Sequence, residues 1–408
     1  MDTVVIGAGQ AGLATSRWLA KKGIAHVVLE RGRIGQSWRS QRWDSFHLNT
    51  PNAINRLPDD PYQGPDPDGF CAAGELLAYF EQYAAVRELP VVEGARVTAV
   101  RRFEDGFEVV ASDETRSCRN LVLCSGDQNT PVVPSVAEAL PEDLLQLHCA
   151  DYRRPEQLPA GATLVVGSAQ SGVQIAEDLL EAGRQVYLCT SKVGRIPRRY
   201  RGKDITTWLR LAGLAEQRPE DLEDPSELHA RQGQVSGTHG GHTVSLPQLA
   251  RDGVKLLGRL EAVKGRTLLL GDDLEANAAK GDELSAKLRG GIDMFIEKAG
   301  LEAPQAEADP AEEPFAGLAD MAAVRELDLR EAGIRSVIWA TGFGPDFSYL
   351  EPSLLDERGR PRHQGGVCAV PGLYCVGLTW LRRRISGLVA GVDADAAFVA
   401  TKIAERSA

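Results

Sequence analysis

Short, wholly apolar runs alternate along the chain with stretches of helical spacing. Thr3-Val4-Val5-Ile6 is the first run, and it gives way at once to Gly7-Ala8-Gly9-Gln10-Ala11-Gly12. Residues 13–22 then carry Leu13, Trp18 and Leu19 at helical spacing, and Gly23 supplies a stop. Val27-Val28-Leu29 is a second run, closed by Glu30. Strand, glycine turn, helix and strand in that order predict a βαβ unit. The same order returns at Thr163-Leu164-Val165-Val166, with Gly167-Ser168-Ala169-Gln170-Ser171-Gly172, a helix over 173–181, Gly183 and a strand over 185–188. The duplication is a stronger signal than either copy alone.

Between the copies, 96–100 and 107–111 alternate like strands about an Asp105-Gly106 hairpin turn. Leu121-Val122-Leu123-Cys124 ends at Ser125-Gly126, residues 336–340 end at Thr341-Gly342-Phe343-Gly344, and Leu373-Tyr374-Cys375-Val376 ends at Gly377. Apolar strands that stop at glycine let backbone approach a ligand at the carboxyl edge of a parallel sheet. The expected fold is three-layer α/β, with two Rossmann-like dinucleotide-binding domains. The first spans 1–153 and is completed by 325–408, because the strands before Gly342 and Gly377 read as parts of the first sheet. The second, 154–324, is inserted between. The polar stretches 216–241 and 302–314 read as a surface loop and a solvated linker, the first alternatively as a lid.

Composition narrows the function classes. The net charge is 46 − 57 = −11, which disfavours nucleic acid as a partner. A chain with 43% hydrophobic and 25% charged residues is of ordinary globular type, and no apolar run approaches the ~20 residues of a membrane span. The seven cysteines fall at 71, 118, 124, 149, 189, 368 and 375. These spacings exclude a C-x-x-C or C-x-x-x-x-C redox dithiol and offer no zinc pattern. No metal is expected. The chain enters its first strand with no signal peptide ahead of it, and reduced thiols and a cytoplasmic location are expected.

The glycine loops carry the candidate chemistry. In the first, Gly7 permits the tight turn, Gly9 lets backbone meet a pyrophosphate, and Gly12 lets helix and sheet pack. Glu30 stands where a carboxylate bonds the ribose hydroxyls of FAD or NAD and repels a 2′-phosphate. The second loop has Ala169 at the middle position, and Cys189-Thr190-Ser191-Lys192 replaces the terminal acid, with Arg195, Arg198, Arg199, Arg201 and Lys203 beyond. Hydroxyls and cations suit NADPH, with Ser191, Lys192 and Arg195 nearest the strand end. Gly167, Ser168, Gln170, Ser171 and Gly172 would form its phosphate loop.

Taken together, these residues resemble the flavin-containing monooxygenase family. The closest likeness is to a bacterial branch of flavoproteins linked to cation transport, similar to the plant auxin-forming monooxygenases. The resemblance rests on Gly7 to Gly12 with Glu30-Arg31, Ile34-Gly35-Gln36-Ser37-Trp38-Arg39, and Arg42 to Pro51 with Leu57-Pro58. It continues through Cys124-Ser125-Gly126, Val165 to Gly172, Ala340-Thr341-Gly342-Phe343, Pro371 to Tyr374, Ser386-Gly387 and Gly391 to Ala396. It implies FAD held by Gly7, Gly9, Gln10, Ala11, Gly12, Glu30, Arg31, Gln36 and Trp38, with backbone near Val97 and at Ser125-Gly126 on the adenosine half. Thr341, Gly342 and Phe343 are further cofactor contacts. Leu48-Asn49-Thr50 resembles the segment beside the reactive flavin edge, and Asn49 takes the family's hydrogen bond near carbon 4a. The sequence also departs from the pattern. Of the linker motif F-x-G-x-x-x-H-x-x-x-W/Y only His148 and Tyr152 are present, with Glu142 and Leu144 in place of Phe and Gly.

The resemblance implies a monooxygenase in which NADPH reduces FAD and O₂ adds at carbon 4a, giving a (hydro)peroxide that oxygenates a small nucleophilic or carbonyl substrate. Two alternatives stay open: an NADPH oxidase or electron-donating reductase, and a redox-regulatory flavoprotein. A homodimer is compatible with the sequence. Residues 198–214, 237–242 and 380–385 are candidate substrate segments.

Overall fold

In the computed structural model, residues 2–230 and 233–407 are described, so Arg231 and Gln232 of the polar stretch 216–241 lie outside them. Among the described residues, seven strands form one sheet in the order His363–Gln364, Val367–Cys368, Leu373–Cys375, Asn120–Leu123, Thr3–Ile6, His26–Leu29 and Val91–Val92. From Leu373–Cys375 to Val91–Val92 the pairing is parallel. A parallel sheet is covered on both faces, which is why its central strands read as unbroken apolar runs. Val5, Val28 and Val122 face the helices Gln10–Lys21, Ala73–Val86 and Val392–Ser407. Their neighbours Val4, Val27, Leu121 and Leu123 face an antiparallel meander of Val97–Phe103, Gly106–Ala111 and Glu114–Cys118. The Asp105-Gly106 turn joins its first two strands as expected.

The second sheet repeats the plan. Its five strands run in the order Lys255–Leu257, Val186–Cys189, Ala162–Val166, Ile334–Trp339 and Leu145–His148, all parallel. Val165, Leu188 and Ile338 face helices Gln170–Glu181 and Leu246–Arg251. Leu164, Val337 and Trp339 face a second meander of Leu260–Lys264, Thr267–Leu270 and Glu326–Asp328.

One expectation is corrected here. The strand before Gly342 belongs to the second sheet, where it lies between Ala162–Val166 and Leu145–His148. Leu145–His148, Glu326–Asp328 and Ile334–Trp339 all pair with the inserted unit, although boundaries at 153 and 325 would give them to the first. A buried run ending in glycine fits the interior of either sheet. Which one it joins is set by long-range pairing, not by its own residues. The strand before Gly377 does sit in the first sheet, beside Asn120–Leu123.

The chain crosses between the units twice, and the crossings touch. Thr130–Pro131 pairs antiparallel with Phe343–Gly344, and the Val132 and Asn129 amides donate to the carbonyls of Gly342 (3.0 Å) and Gly344 (2.9 Å).

Candidate functional site

Each glycine turn is shaped by backbone crowding. Gly7 has φ +102°, and a Cβ there would stand 2.7 Å from the Cys124 carbonyl oxygen; one on Gly12 would stand 1.8 Å from the Gly7 oxygen. In the second turn, Gly167 has φ +104° and meets the Ala340 oxygen at 2.5 Å, and Gly172 meets the Gly167 oxygen at 1.8 Å. Nothing lies within 4 Å of a Cβ on Gly9, so the surface above this turn is open. Neither helix that starts here, at Gln10 or Gln170, has a side-chain cap, whereas Asp204 and Ser245 cap the helices that follow them. Open space over an uncapped helix N-terminus at a strand's carboxyl end fits a dinucleotide pyrophosphate at the first turn, and the second turn repeats the uncapped helix start with Gln234 Nε2 on its Ser168 carbonyl (2.7 Å).

Around the first turn, Glu30 is buried and its carboxylate accepts from the amides of Ala8 (2.8 Å) and Gly32 (3.0 Å). It thereby ties the end of the second strand to the glycine loop. Gln10 accepts from Trp38 Nε1 (3.0 Å) and donates to the Gly387 carbonyl (3.1 Å), linking loop, short helix and C-terminal segment. Gln36 accepts from the Arg33 amide. Arg31 is half-buried beside Glu30, and Ala11 is buried against Gly377. Gly126 has φ +77° and a Cβ there would meet nothing within 4 Å, while the Ser125 hydroxyl meets the Tyr349 hydroxyl at 3.0 Å. Burial pushes the Tyr349 phenol upward and keeps it neutral. Tyr349 had no sequence signal, because it lies 224 residues away. Val97 opens the meander, whose incoming chain is held by the Ala95 amide on the Glu30 carbonyl (2.8 Å). Beyond Gly126 and Gly377, a cavity of about 380 Å³ is lined by Asp127, Phe347, Leu378, Thr379 and Arg362.

In the second turn, Ser168 is buried; its hydroxyl accepts from the Ser191 amide (2.9 Å), fastening the loop to the strand end. Ser171 lies against Cys149. Lys192 is exposed at the strand end. Arg195 is placed otherwise than expected. It is 2% exposed and pairs with Asp282 (2.7 Å) of helix Leu274–Ala299, with Glu312 at 3.8 Å. Its charge is met inside the protein. Thr341, Gly342 and Phe343 follow the second sheet's central strand, and Ala340 crowds Gly167 just as Cys124 crowds Gly7. They therefore flank the second turn, not the first.

His148 is buried: the Ala150 amide donates to Nδ1 (3.1 Å), so Nε2 carries the proton and donates to the Gly342 carbonyl (3.0 Å). Desolvation lowers its pKa, and the ring packs edge-on to Phe343 at 4.9 Å.

The first unit reaches the second turn's helix through Leu48-Asn49-Thr50. Leu48 is buried, and its carbonyl packs so closely under Gly237 that a Cβ there would sit 1.9 Å away. Thr50 donates to Asn55 (2.6 Å). The Asn49 amide donates to Gln170 Oε1 (3.1 Å) and accepts from Gln174 Nε2 (2.8 Å), both on the second turn's helix. Arg198 Nη1 donates to the Asn49 carbonyl (2.9 Å); its guanidinium pairs with buried Asp204 at 2.7 Å and stacks over Phe70 at 4.6 Å. Ser45 and Tyr152 add hydrogen bonds to Asp178 of the same helix. Gln174, Asp178 and Asp204 were not found from sequence, because each is an ordinary helix or cap residue until the units meet.

The other candidate segments are also engaged. His239 and His242 face Glu181 and Glu177, each at 2.8 Å. Arg384 stacks over Trp380 and bonds Gln217 (2.7 Å) and Glu227 (2.9 Å), and Arg383 bonds Glu216. The 216–229 stretch is thus strapped to the 380–385 turn. Of the cysteines, Cys71 is half-buried and the other six are buried. Burial pushes Cys124 and Cys189 up to about 12, so neither is a thiolate near neutrality.

Residues 4–220 match the pyridine nucleotide-disulphide oxidoreductase family model. An uncharacterized CzcO-like oxidoreductase of Geobacillus kaustophilus is 30% identical, covering 99% of this chain and 98% of its own length. An indole-3-pyruvate monooxygenase of Oryza sativa subsp. japonica is 30% identical over 44% of this chain and 45% of its own. In fold, a double variant of the flavin monooxygenase from Stenotrophomonas maltophilia superposes with a TM-score of 0.67 at 21% identity, over 100% of this chain and 99% of that one. The duplicated turns and these matches agree: the chain belongs to the pyridine nucleotide-disulphide oxidoreductase family and is an oxidoreductase.

Proposed function

We propose that the protein is an NADPH- and O₂-dependent flavoprotein monooxygenase acting on a small nucleophilic or carbonyl substrate. Gly7, Gly9, Ala11 and Gly12 would hold FAD, with Glu30 serving its ribose and Ser125-Gly126 and Val97 its adenosine half. Gly167, Ser168, Gln170 and Gly172 would hold NADPH, with Ser191 and Lys192 serving the 2′-phosphate. Bound FAD supplies hydride acceptance from NADPH and activation of O₂ at carbon 4a.

The observation that carries this reading is the Asn49–Gln170 hydrogen bond, which holds the segment of the first unit against the phosphate turn of the second. Electron transfer between two dinucleotides needs such a juxtaposition. The cysteine chemistry supports the same conclusion from the other side. The Cys368 and Cys375 sulfurs are 3.5 Å apart, but both residues are buried, and the Cys368 contact and desolvation push the Cys375 thiol well up. A dithiol relay needs an accessible thiolate. In this reading Asn49 supplies a hydrogen bond at the reacting edge, and the strapped 216–229 stretch helps to exclude water.

The test is to reduce the FAD-loaded protein anaerobically with NADPH, mix it with O₂ and follow the flavin absorbance and H₂O₂. A persistent species distinct from oxidised and reduced flavin is expected. Immediate reoxidation with stoichiometric H₂O₂ overturns the reading in favour of an oxidase, and failure of NADPH to reduce the flavin overturns it in favour of a regulator.

A further inference from the structure

We infer that Gln174 is a positioning residue whose amide, locked by the Val235 carbonyl, fixes Asn49 as a hydrogen-bond donor toward the reaction site. The inference rests on the monooxygenase reading and deepens it.

Gln174 is 5% exposed, and its Nε2 lies 2.9 Å from the Val235 carbonyl oxygen and 2.8 Å from Asn49 Oδ1. A backbone carbonyl only accepts, so the Gln174 amide must turn its NH₂ toward Val235. Its second N–H then faces Asn49, which must answer with oxygen. On the other side, Gln170 Nε2 donates to the Gly233 carbonyl at 3.1 Å, so its Oε1 is left to face Asn49. Asn49 must answer there with its NH₂, at 3.1 Å. Two carbonyls of one passing segment, Gly233 and Val235, thus dictate the same sense of the Asn49 amide from opposite ends. The Arg198 guanidinium on the Asn49 carbonyl fixes the backbone beneath it. With Oδ1 engaged by Gln174 and one Nδ2 proton by Gln170, the second Nδ2 proton remains to donate. The atom it serves must be an acceptor. A flipped amide would offer oxygen instead and would repel that atom.

Gln174→Glu keeps the shape and removes the donor. A carboxylate between the Val235 oxygen and Asn49 Oδ1 sets this end against the Gln170 end, so the Asn49 amide loses its single fixed sense. The variant should retain FAD, and NADPH should reduce its flavin within about twofold of the wild-type rate. H₂O₂ released per NADPH consumed should rise about tenfold, the rate equivalent of one lost neutral hydrogen bond. In the Asn49→Ala background, Gln174→Glu should add nothing, because the residue acts through Asn49. A readout free of turnover uses ¹⁵N-asparagine-labelled protein without cofactor: the wild-type Asn49 amide should show one slowly and one rapidly exchanging proton, and the Gln174→Glu variant should lose that asymmetry. Additive leakage in the double variant, or an unchanged Asn49 amide, overturns the positioning role and leaves the monooxygenase reading intact. If Asn49→Ala itself leaves leakage unchanged while NADPH still reduces the flavin, the reading of Asn49 falls instead.

Discussion

Gly9 and Ala169 hold nearly the same backbone conformation at the same step of the two turns, φ −81°, ψ −168° for one and φ −72°, ψ −176° for the other. Neither angle needs glycine. The glycine at position 9 therefore serves what lies above it, since a Cβ would meet nothing in the protein itself. Gly9→Ala should keep stability within about 1 kcal/mol, the entropic gain of alanine offsetting its poorer fit at a helix start. Its flavin-to-protein ratio should fall sharply. Gly12→Ala is the contrast. Its methyl would stand 1.8 Å from backbone, and a cost of about 3 kcal/mol or more is expected. Urea melts and flavin absorbance of the two variants separate ligand clearance from packing.

Lys192 and Arg195 divide the roles that their spacing suggested they share. Lys192→Ala should raise the KM for NADPH about tenfold and leave that for NADH nearly unchanged, as expected for one charge-assisted hydrogen bond to the 2′-phosphate. Arg195→Met should leave the NADPH-to-NADH preference as it is, because its guanidinium is turned to Asp282. Steady-state kinetics with both nucleotides decides between them.

The Arg198–Asp204 pair is buried on both sides, at 2% and 3% exposure. Removing one partner strands the other charge, and Asp204→Ala should cost about 3–5 kcal/mol. Part of that loss is the cap on Thr206, whose amide the same carboxylate accepts at 2.8 Å. Asp204→Asn, which can still cap, should recover a measurable share in a denaturant melt.

His148 sets a pH dependence whose direction follows from its burial. Its folded pKa lies below the ordinary value of 6.5, so the unfolded chain binds the proton more readily. The stability tied to neutral His148 is complete above that ordinary value and is lost as pH falls through it toward the lowered one. His148→Gln removes this contribution. Its stability between pH 7 and 5 should fall less steeply than that of the wild type, by at most about 1.4 kcal/mol per pH unit.

How far the sequence could be read depended on how local each signal was. Gly7, Gly12, Glu30 and their copies at Gly167 and Gly172 are legible because turn, helix and strand are contiguous. The Asp105-Gly106 hairpin is legible for the same reason. The strand Ile334–Trp339 was assigned to the wrong sheet, since nothing in an apolar run names its ladder partner. Arg195 was misjudged because its partner Asp282 sits on Leu274–Ala299, a helix whose polar surface and weak periodicity conceal it. Asn49 was singled out by resemblance alone. What surrounds it comes from residues more than a hundred positions away, and only the docking of two units brings them into reach.

The route of the chain through the two sheets also orders its synthesis. The inserted unit has all of its strands once Ile334–Trp339 has emerged. The first unit does not: its sheet still lacks Leu373–Cys375, and helix Val392–Ser407, whose Asp393 accepts from Trp18 at 2.7 Å, is made later still. On the ribosome, the nascent amino-terminal half must therefore wait, incompletely paired, until these downstream segments have emerged. Late truncations from a premature stop should spare the inserted unit and abolish flavin retention.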